Sequence, residues 1–173
     1  MSVLVLGIGN ICMTDDGLGI VAIQRLKQQH CFPQEVAIIE GGTMGLSLLP
    51  YLEGVDRLLI IDSINCGYPP GTIIRLTGEE VPASFGIKLS RSQIGVQDLL
   101  AAADLLGHLP DDRVLLGVQP ALLEWGMELS TTVAAKLDTL IENLLEELSG
   151  WGVAYFGRFP KPYTFSSKSL GRL

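Results

Sequence analysis

The sequence predicts a single-domain α/β fold, a three-layer sandwich in which helices cover both faces of a mostly parallel sheet. Short apolar runs alternate with segments of helical periodicity, which is the pattern of strand–helix–strand units. Two of the runs, at 3–6 and 58–61, are continuously apolar rather than alternating, as expected of strands buried on both sides. A length of 173 residues suits one domain with its own core.

The elements can be assigned in order from these runs and from the turn residues between them. Strands are predicted at 2–8, 35–40, 56–63 and 113–118, extended structure at 72–77, and helices at 16–29, 44–53 and 95–106. The clearest element is the last helix, which has one apolar stripe of period 3.6: Val133, Leu137, Leu140, Ile141, Leu144, Leu145 and Leu148. Ser130 is its expected N-cap and Gly150 its expected C′ residue.

Composition excludes several classes of protein. A net charge of −7 argues against nucleic-acid binding, and no apolar run is long enough to cross a membrane. The three cysteines have no CxxC spacing, and the first residues lack a basic signal region, so we expect a cytoplasmic protein. Residues 157–173 carry four basic residues and no acid. We expect residues 154–173 to form a flexible basic tail, with a partner contact or a cloning remnant as the alternatives.

The turn after the first strand, GIGNICMTDDGLG at 7–19, resembles a phosphate-binding loop but carries two acids. The third glycine of a dinucleotide fingerprint is replaced by Cys12, and Asp15 and Asp16 would repel a pyrophosphate. We expect Asp15 or Thr14 to cap the first helix. Asp16 is then free to point from the edge of the sheet, where ligands bind in open α/β folds.

A second acid, Asp62, ends the third strand after four apolar residues. A lone aspartate there is usually a turn former, but the carboxyl ends of the first and third strands are frequently neighbours in such sheets. Asp16 and Asp62 would then supply hard oxygen ligands for a divalent cation. The glycine-rich turn Gly41-Gly42-Thr43-Met44-Gly45 ends the second strand at the same edge. Its glycines suit either a tight turn or the close approach of another backbone.

The ordered set of these motifs resembles the hydrogenase maturation endopeptidases. The matching residues are Gly7-x-Gly9-Asn10, Asp15-Asp16-Gly17-x-Gly19, Gly41-Gly42-Thr43-x-Gly45, Asp62, Pro70-Gly71-Thr72, Glu80-Val81-Pro82-Ala83 and Gly117-Val118-Gln119-Pro120. Gly107-His108-Leu109-Pro110 and Trp151-Gly152 resemble the branch that serves uptake hydrogenases.

The resemblance implies a twisted five-stranded sheet and a peptidase domain over residues 1–153. It implies an enzyme that removes the C-terminal extension of a [NiFe] hydrogenase large-subunit precursor after nickel insertion. Nickel is then carried by the substrate, with other divalent cations as surrogates, and is contacted by acids at Asp16 and Asp62. The scissile peptide is expected beside Gly41, Gly42, Thr43 and Gly45. Nickel or a carboxylate would polarise the carbonyl or activate water, so Asp16 and Asp62 are also the best catalytic candidates.

The sequence departs from the family at two positions. Ser92 occupies the place of the family's histidine ligand, and Gln93 follows it. Three explanations are open: Gln93 could supply its amide oxygen to the metal, Ser92 could hold a water molecule, or metal binding is impaired. We expect weakened metal binding, in which recognition still depends mainly on Asp16 and Asp62. Glu40 replaces an aspartate and is one methylene longer, which would shift substrate contacts. The two histidines, His30 and His108, lie outside the matching segment and are expected to be surface or capping residues.

Two other functions remain open from the sequence. A non-catalytic chaperone for the hydrogenase precursor is compatible with the missing histidine. A Mg²⁺-binding receiver domain would also place acids after the first and third strands, but Gln119-Pro120 follows the strand where a receiver needs a lysine. Neither Cys12 nor Cys66 has an evident activating base, so both are expected to be structural.

Overall fold

The computed structural model describes residues 1–81 and 91–158, with the backbone alone for residues 91–94. The strands are β1 (Val3–Ile8), β2 (His30–Cys31), β3 (Val36–Gly42), β4 (Arg57–Ser63), β5 (Ile73–Thr77), β6 (Asp112–Val118) and β7 (Phe156–Gly157). The helices are α1 (Leu18–Gln29), α2 (Arg91–Leu105), α3 (Thr131–Ala134) and α4 (Leu137–Gly150), and 3-10 helices span Thr14–Gly17 and Gly45–Leu52.

Five of the strands form one sheet in the order β3-β1-β4-β6-β5. The pairs β1–β3, β1–β4 and β4–β6 are parallel, and β5 runs antiparallel to β6 at the edge. The predicted fold class is therefore confirmed. Because β1, β3, β4 and β6 are parallel, their carboxyl ends lie at one edge of the sheet, here called the carboxyl edge.

The central strands of the sheet, β1, β4 and β6, are buried on both faces, which explains the continuous apolar runs. Along β1, Val3 and Val5 belong to a core cluster that includes the buried faces of α1 and α4. Leu4 and Leu6 belong to a second cluster that includes buried residues of α2 and of the 3-10 helix Gly45–Leu52. Consecutive side chains of a strand point to opposite faces, so the central strands β1 and β4 are apolar at successive positions along 3–6 and 58–61.

Two glycines allow α1 to pack closely on the sheet. A β-carbon built at Gly19 would lie 2.1 Å from the carbonyl oxygen of Ile8 and 2.4 Å from that of Ile61. A β-carbon at Gly7 would lie 2.4 Å from the carbonyl oxygen of Gly19. Gly7 and Gly19, at the two ends of the glycine-rich turn, thus serve helix–strand packing.

Several predicted boundaries differ from those observed. The first helix begins at Leu18, because residues 14–17 form a 3-10 turn, and the predicted helix at 44–53 is also 3-10. The predicted last helix is divided: Ser130 Oγ accepts a hydrogen bond from Val133 N at 3.3 Å and caps the short α3 instead. The residue of positive φ that ends α4 is Gly152 rather than Gly150, with Val153 N bonded to Leu148 O at 2.9 Å, as in a Schellman motif.

The start of the predicted tail belongs to the fold. Phe156 and Gly157 pair with His30 and Cys31 in a small antiparallel ribbon, and Arg158 N donates to Gln29 O at 2.7 Å. The rest of the predicted tail, from residue 159, lies outside the described residues. Across the part of the chain that is described, no helix combines the length and apolar character needed to cross a bilayer.

Candidate active site

The turn after β1 is held at the carboxyl edge by backbone constraints. Gly9 has φ +126°, and a β-carbon there would lie 1.7 Å from the carbonyl oxygen of Asp16. Its N–H donates to Gly42 O at 3.1 Å, which joins this turn to the one after β3. Only glycine fits such a position.

Asp16 and Asp62 both lie against this turn. Asp16 Oδ2 accepts a hydrogen bond from Asn10 N at 3.0 Å, and Asp62 Oδ1 lies 3.8 Å from a β-carbon built at Gly9. Asp62 Oδ1 also accepts from Ser63 N at 2.7 Å. The side chains are 5% and 0% exposed, respectively, so a charge brought to them would be poorly screened by water.

Asp15 has a different role from the predicted one. It does not cap the first helix: neither the 3-10 turn nor α1 has a side-chain cap. Instead its buried carboxylate accepts four hydrogen bonds from a distant loop: from Ala121 N at 2.9 Å, Leu122 N at 2.8 Å, Ser130 N at 2.7 Å and Ser130 Oγ at 2.9 Å. Asp15 thus fastens the loop between β6 and α3 to the carboxyl edge.

Thr14 joins the same loop at a second place. Its hydroxyl donates to Leu122 O at 2.8 Å and accepts from Glu124 N at 3.2 Å, while its backbone N–H donates to Gly126 O at 2.7 Å. Thr14 has φ +43°, which is uncommon for a β-branched residue. These contacts hold it in that conformation, so the loop and the turn bearing Asp16 form one unit.

The glycine turn after β3 borders this unit and the start of α2. Gly41 is buried against Leu6 and Leu48, where a β-carbon would lie 2.8 and 3.0 Å from their side chains, so its place in the core already requires glycine. Thr43 is exposed. A β-carbon at Gly45 would lie 3.3 Å from Gly95 Cα, which brings α2 at Gly95 beside the glycine turn.

The structure leaves the predicted third metal position untested. Ser92 and Gln93 lie in the first turn of α2, but their side chains fall outside the described residues. Over 1–81 and 95–158, the side chains of His, Cys, Asp and Glu form no group of three suited to a metal ion.

The remaining candidates lie away from Asp16 and Asp62 or serve the fold. Glu40 pairs with Lys27 at 3.3 Å and accepts from Gln24 at 3.1 Å, so its carboxylate is directed to α1. His108 follows Gly107 in the turn that ends α2, where its N–H donates to Ala103 O at 2.8 Å, and His30 packs edge-on against Tyr155.

Gln119 holds the loop after β4, a role that the sequence did not indicate. Its Oε1 accepts from Cys66 N at 2.9 Å and from Tyr68 N at 3.2 Å, and its Nε2 donates to Asn65 Oδ1 at 3.0 Å. Burial raises the pKa of the Cys66 thiol, which favours the unreactive protonated form. This agrees with a structural role for Cys66.

Comparison with known proteins decides the family. A family model described as hydrogenase maturation protease matches residues 20–147. The chain belongs to the hydrogenase maturation protease family. It is 40% identical over 153 residues to the hydrogenase expression/formation protein HupD of Rhodobacter capsulatus, which covers 87% of this chain and 73% of that one.

Its similarity to proteases of known structure is equally extensive. The hydrogenase 2 maturation protease of Escherichia coli is 40% identical over 88% of this chain and 94% of its own. The structure of the maturating endopeptidase HybD from that organism superimposes with a TM-score of 0.88 over 91% of this chain and 98% of that one, at 39% identity. The [NiFe] hydrogenase maturation protease HybD of Thermococcus kodakarensis gives 0.70, at 29% identity over 86% and 99%.

Membership of this family confirms the resemblance drawn from the motifs and shows that the protein is a peptidase. It removes the receiver domain from the possible functions. The fold agrees: Gln119, which follows β6 where a receiver needs a lysine, is committed to the loop at 65–68.

Proposed function

We propose that this protease removes the C-terminal extension of a [NiFe] hydrogenase large-subunit precursor and that it recognises the nickel of the precursor through Asp16 and Asp62. The observation that carries the proposal is the approach of both carboxylates to one turn, from the ends of β1 and β4. Carboxylate oxygens bind divalent cations, and the two acids have little competing solvent.

The geometry also suggests where the peptide would run. With nickel at the two acids, the extension would lie along the turn of Gly42, Thr43 and Gly45, which is joined to Gly9 by the bond to Gly42 O. Polarisation of the scissile carbonyl by nickel, or activation of water by a carboxylate, would then act on the bond beside this turn.

The replacement of the family histidine by Ser92 bears on the strength of recognition. Two carboxylates without an imidazole give nickel a harder and poorer ligand set, so we expect weak binding of free Ni²⁺ by the isolated protein. Recognition then depends on nickel that is already held by the precursor. We place this step in the cytoplasm, since the three cysteines are free thiols, as is usual there.

The decisive experiment compares charge-removing variants on a nickel-loaded precursor, with the released peptide weighed by mass spectrometry. Asp16→Asn and Asp62→Asn should each lower the cleavage rate at least about a hundredfold, as expected when a group that binds a reacting centre is lost. Asp112→Asn is the matched control, because Asp112 begins β6 at the opposite edge and pairs with Arg57 at 3.1 Å.

Two outcomes would contradict the proposal. If Asp16→Asn and Asp62→Asn both cleave the precursor at the wild-type rate, these two acids do not recognise its nickel. A wild-type protein that forms a stable complex with the precursor but releases no peptide would instead establish the chaperone function and overturn the proposed cleavage.

A further inference from the structure

The loop that Asp15 and Thr14 fasten beside Asp16 exposes a group of large apolar side chains. We call it the 122–127 face; its members are Leu122, Leu123, Trp125 and Met127, which are 45%, 46%, 82% and 71% exposed. Four large apolar side chains exposed at neighbouring positions of one loop are uncommon in soluble proteins, and exposed apolar surface of this kind marks interaction sites. Tryptophan in particular carries a large share of the binding energy at protein interfaces.

The loop is held firmly, although its apolar side chains face solvent. Its backbone is bonded to Asp15 at residues 121, 122 and 130 and to Thr14 at residues 122, 124 and 126. Gly126 N also donates to Cys12 O at 3.0 Å. A loop fixed in this way presents its apolar side chains at little entropic cost on binding.

The charge and position of the face indicate what it binds. Residues 119–135 contain Glu124 and Glu128 but no Lys or Arg, and the face adjoins the turn that carries Asp16. An apolar surface edged by acids is complementary to an apolar surface around a positive centre. A second copy of this acidic chain would bring like charges together.

We propose that the 122–127 face docks on the apolar surface of the hydrogenase precursor that surrounds its nickel, with Trp125 as the main anchor. This inference rests on the proposed function and adds a second source of affinity, one that does not require nickel. Asp15 acts as a positioning residue, because it holds the loop in register with Asp16.

The test separates docking from catalysis. Trp125→Ala and Met127→Ser should each raise KM for the nickel-loaded precursor, the former about tenfold or more, while kcat stays within about twofold. Titration calorimetry with nickel-free precursor should show the same loss of affinity. Phe156→Ala is the matched control, because Phe156 is 74% exposed but lies in β7, near the end of α1 that is remote from the carboxyl edge.

Each result decides between the two proposals. If the wild-type protein cleaves the precursor and Trp125→Ala has the wild-type KM and affinity, docking through this face is wrong and the proposed function stands. If no cleavage occurs but binding depends on Trp125, docking stands and the proposed function fails. Sedimentation showing a homodimer that Trp125→Ala dissociates would assign the face to a second copy and overturn the proposal.

Discussion

Replacement of Asp15 by asparagine separates the observed role of this residue from the one that the sequence suggests. Asparagine and aspartate are about equally good N-caps, so Asp15→Asn would be nearly neutral if Asp15 capped a helix. In the structure the carboxylate accepts from Ala121 N, Leu122 N, Ser130 N and Ser130 Oγ. An amide cannot replace it, because its NH2 group would face at least one of these donors.

The magnitude follows from the best arrangement open to the amide. With its oxygen in the place of Oδ2, asparagine keeps three acceptor contacts and turns its NH2 toward Ser130 N, which donates to Oδ1 at 2.7 Å. Loss of a hydrogen bond to a charged group costs about 1.5–3 kcal/mol, and the remaining bonds lose their charge. We therefore expect the free energy of unfolding to fall by about 2–4 kcal/mol, a large share of the stability of an ordinary domain.

Urea denaturation followed by far-UV circular dichroism measures this free energy. Asp138→Asn is the matched control: Asp138 pairs with Arg25 at 3.0 Å, but its side chain is 83% exposed, so we expect a change below about 0.5 kcal/mol. A free energy of unfolding for Asp15→Asn equal to that of the control would refute the assignment of Asp15 to the loop and restore the capping interpretation.

Two further predictions test close packing and thiol burial. Gly19→Ala should lower the free energy of unfolding by about 3 kcal/mol or more, because the new β-carbon would meet the carbonyl oxygens of Ile8 and Ile61 at 2.1 and 2.4 Å. Gly150→Ala, where no heavy atom lies within 4 Å, should be neutral or stabilising in the same urea titration. The raised pKa of Cys66 leaves less thiolate than in a free cysteine, so near pH 8 iodoacetamide should alkylate Cys66 more slowly in the native protein than in the unfolded chain. Peptide mass spectrometry should show the difference in alkylation rate narrowing as the pH rises, and equal rates at all pH values would contradict the partial burial of the thiol.

Hydrophobic periodicity was sufficient to predict the fold, because the apolar runs of strands and the apolar stripe of a helix are both local sequence patterns. The unbroken apolar runs of β1 and β4 indicate strands that are covered on both faces. The apolar stripe from Leu137 to Leu148 indicates a helix that is buried along one face. The direction of β5 was not predictable in this way, because an extended run such as residues 72–77 pairs equally well in either sense. Its antiparallel pairing is set by contacts with β6, from Ile73–Val118 to Thr77–Val114, and the bond from Gln119 N to Thr72 O at 2.8 Å continues it beyond the strands.

The candidate site was predictable only where it depends on strand ends. Asp16 follows β1 and Asp62 lies at the carboxyl end of β4, and parallel pairing of these strands brings both acids to one edge. Asp15 could not be interpreted correctly, because its partners are 106 to 115 residues away in the chain and a local capping rule already offered it a role. Gln119 was noted as part of the motif Gly117-Val118-Gln119-Pro120, but no local pattern indicated that its side chain holds the loop after β4.

The tight geometry of the 3-10 turn explains how two adjacent acids acquire different roles. Such a turn has about three residues per turn, so consecutive side chains diverge by about 120°. Asp15 is directed into the loop at 121–130, and Asp16 is directed to Asn10 at 3.0 Å. Because the same turn carries both, the bonds that stabilise the loop also fix the direction of the Asp16 carboxylate. If Asp16 recognises the precursor as proposed, a variant that loosens the loop should impair precursor cleavage even where Asp16 itself is intact, because the same turn would then serve both stability and recognition.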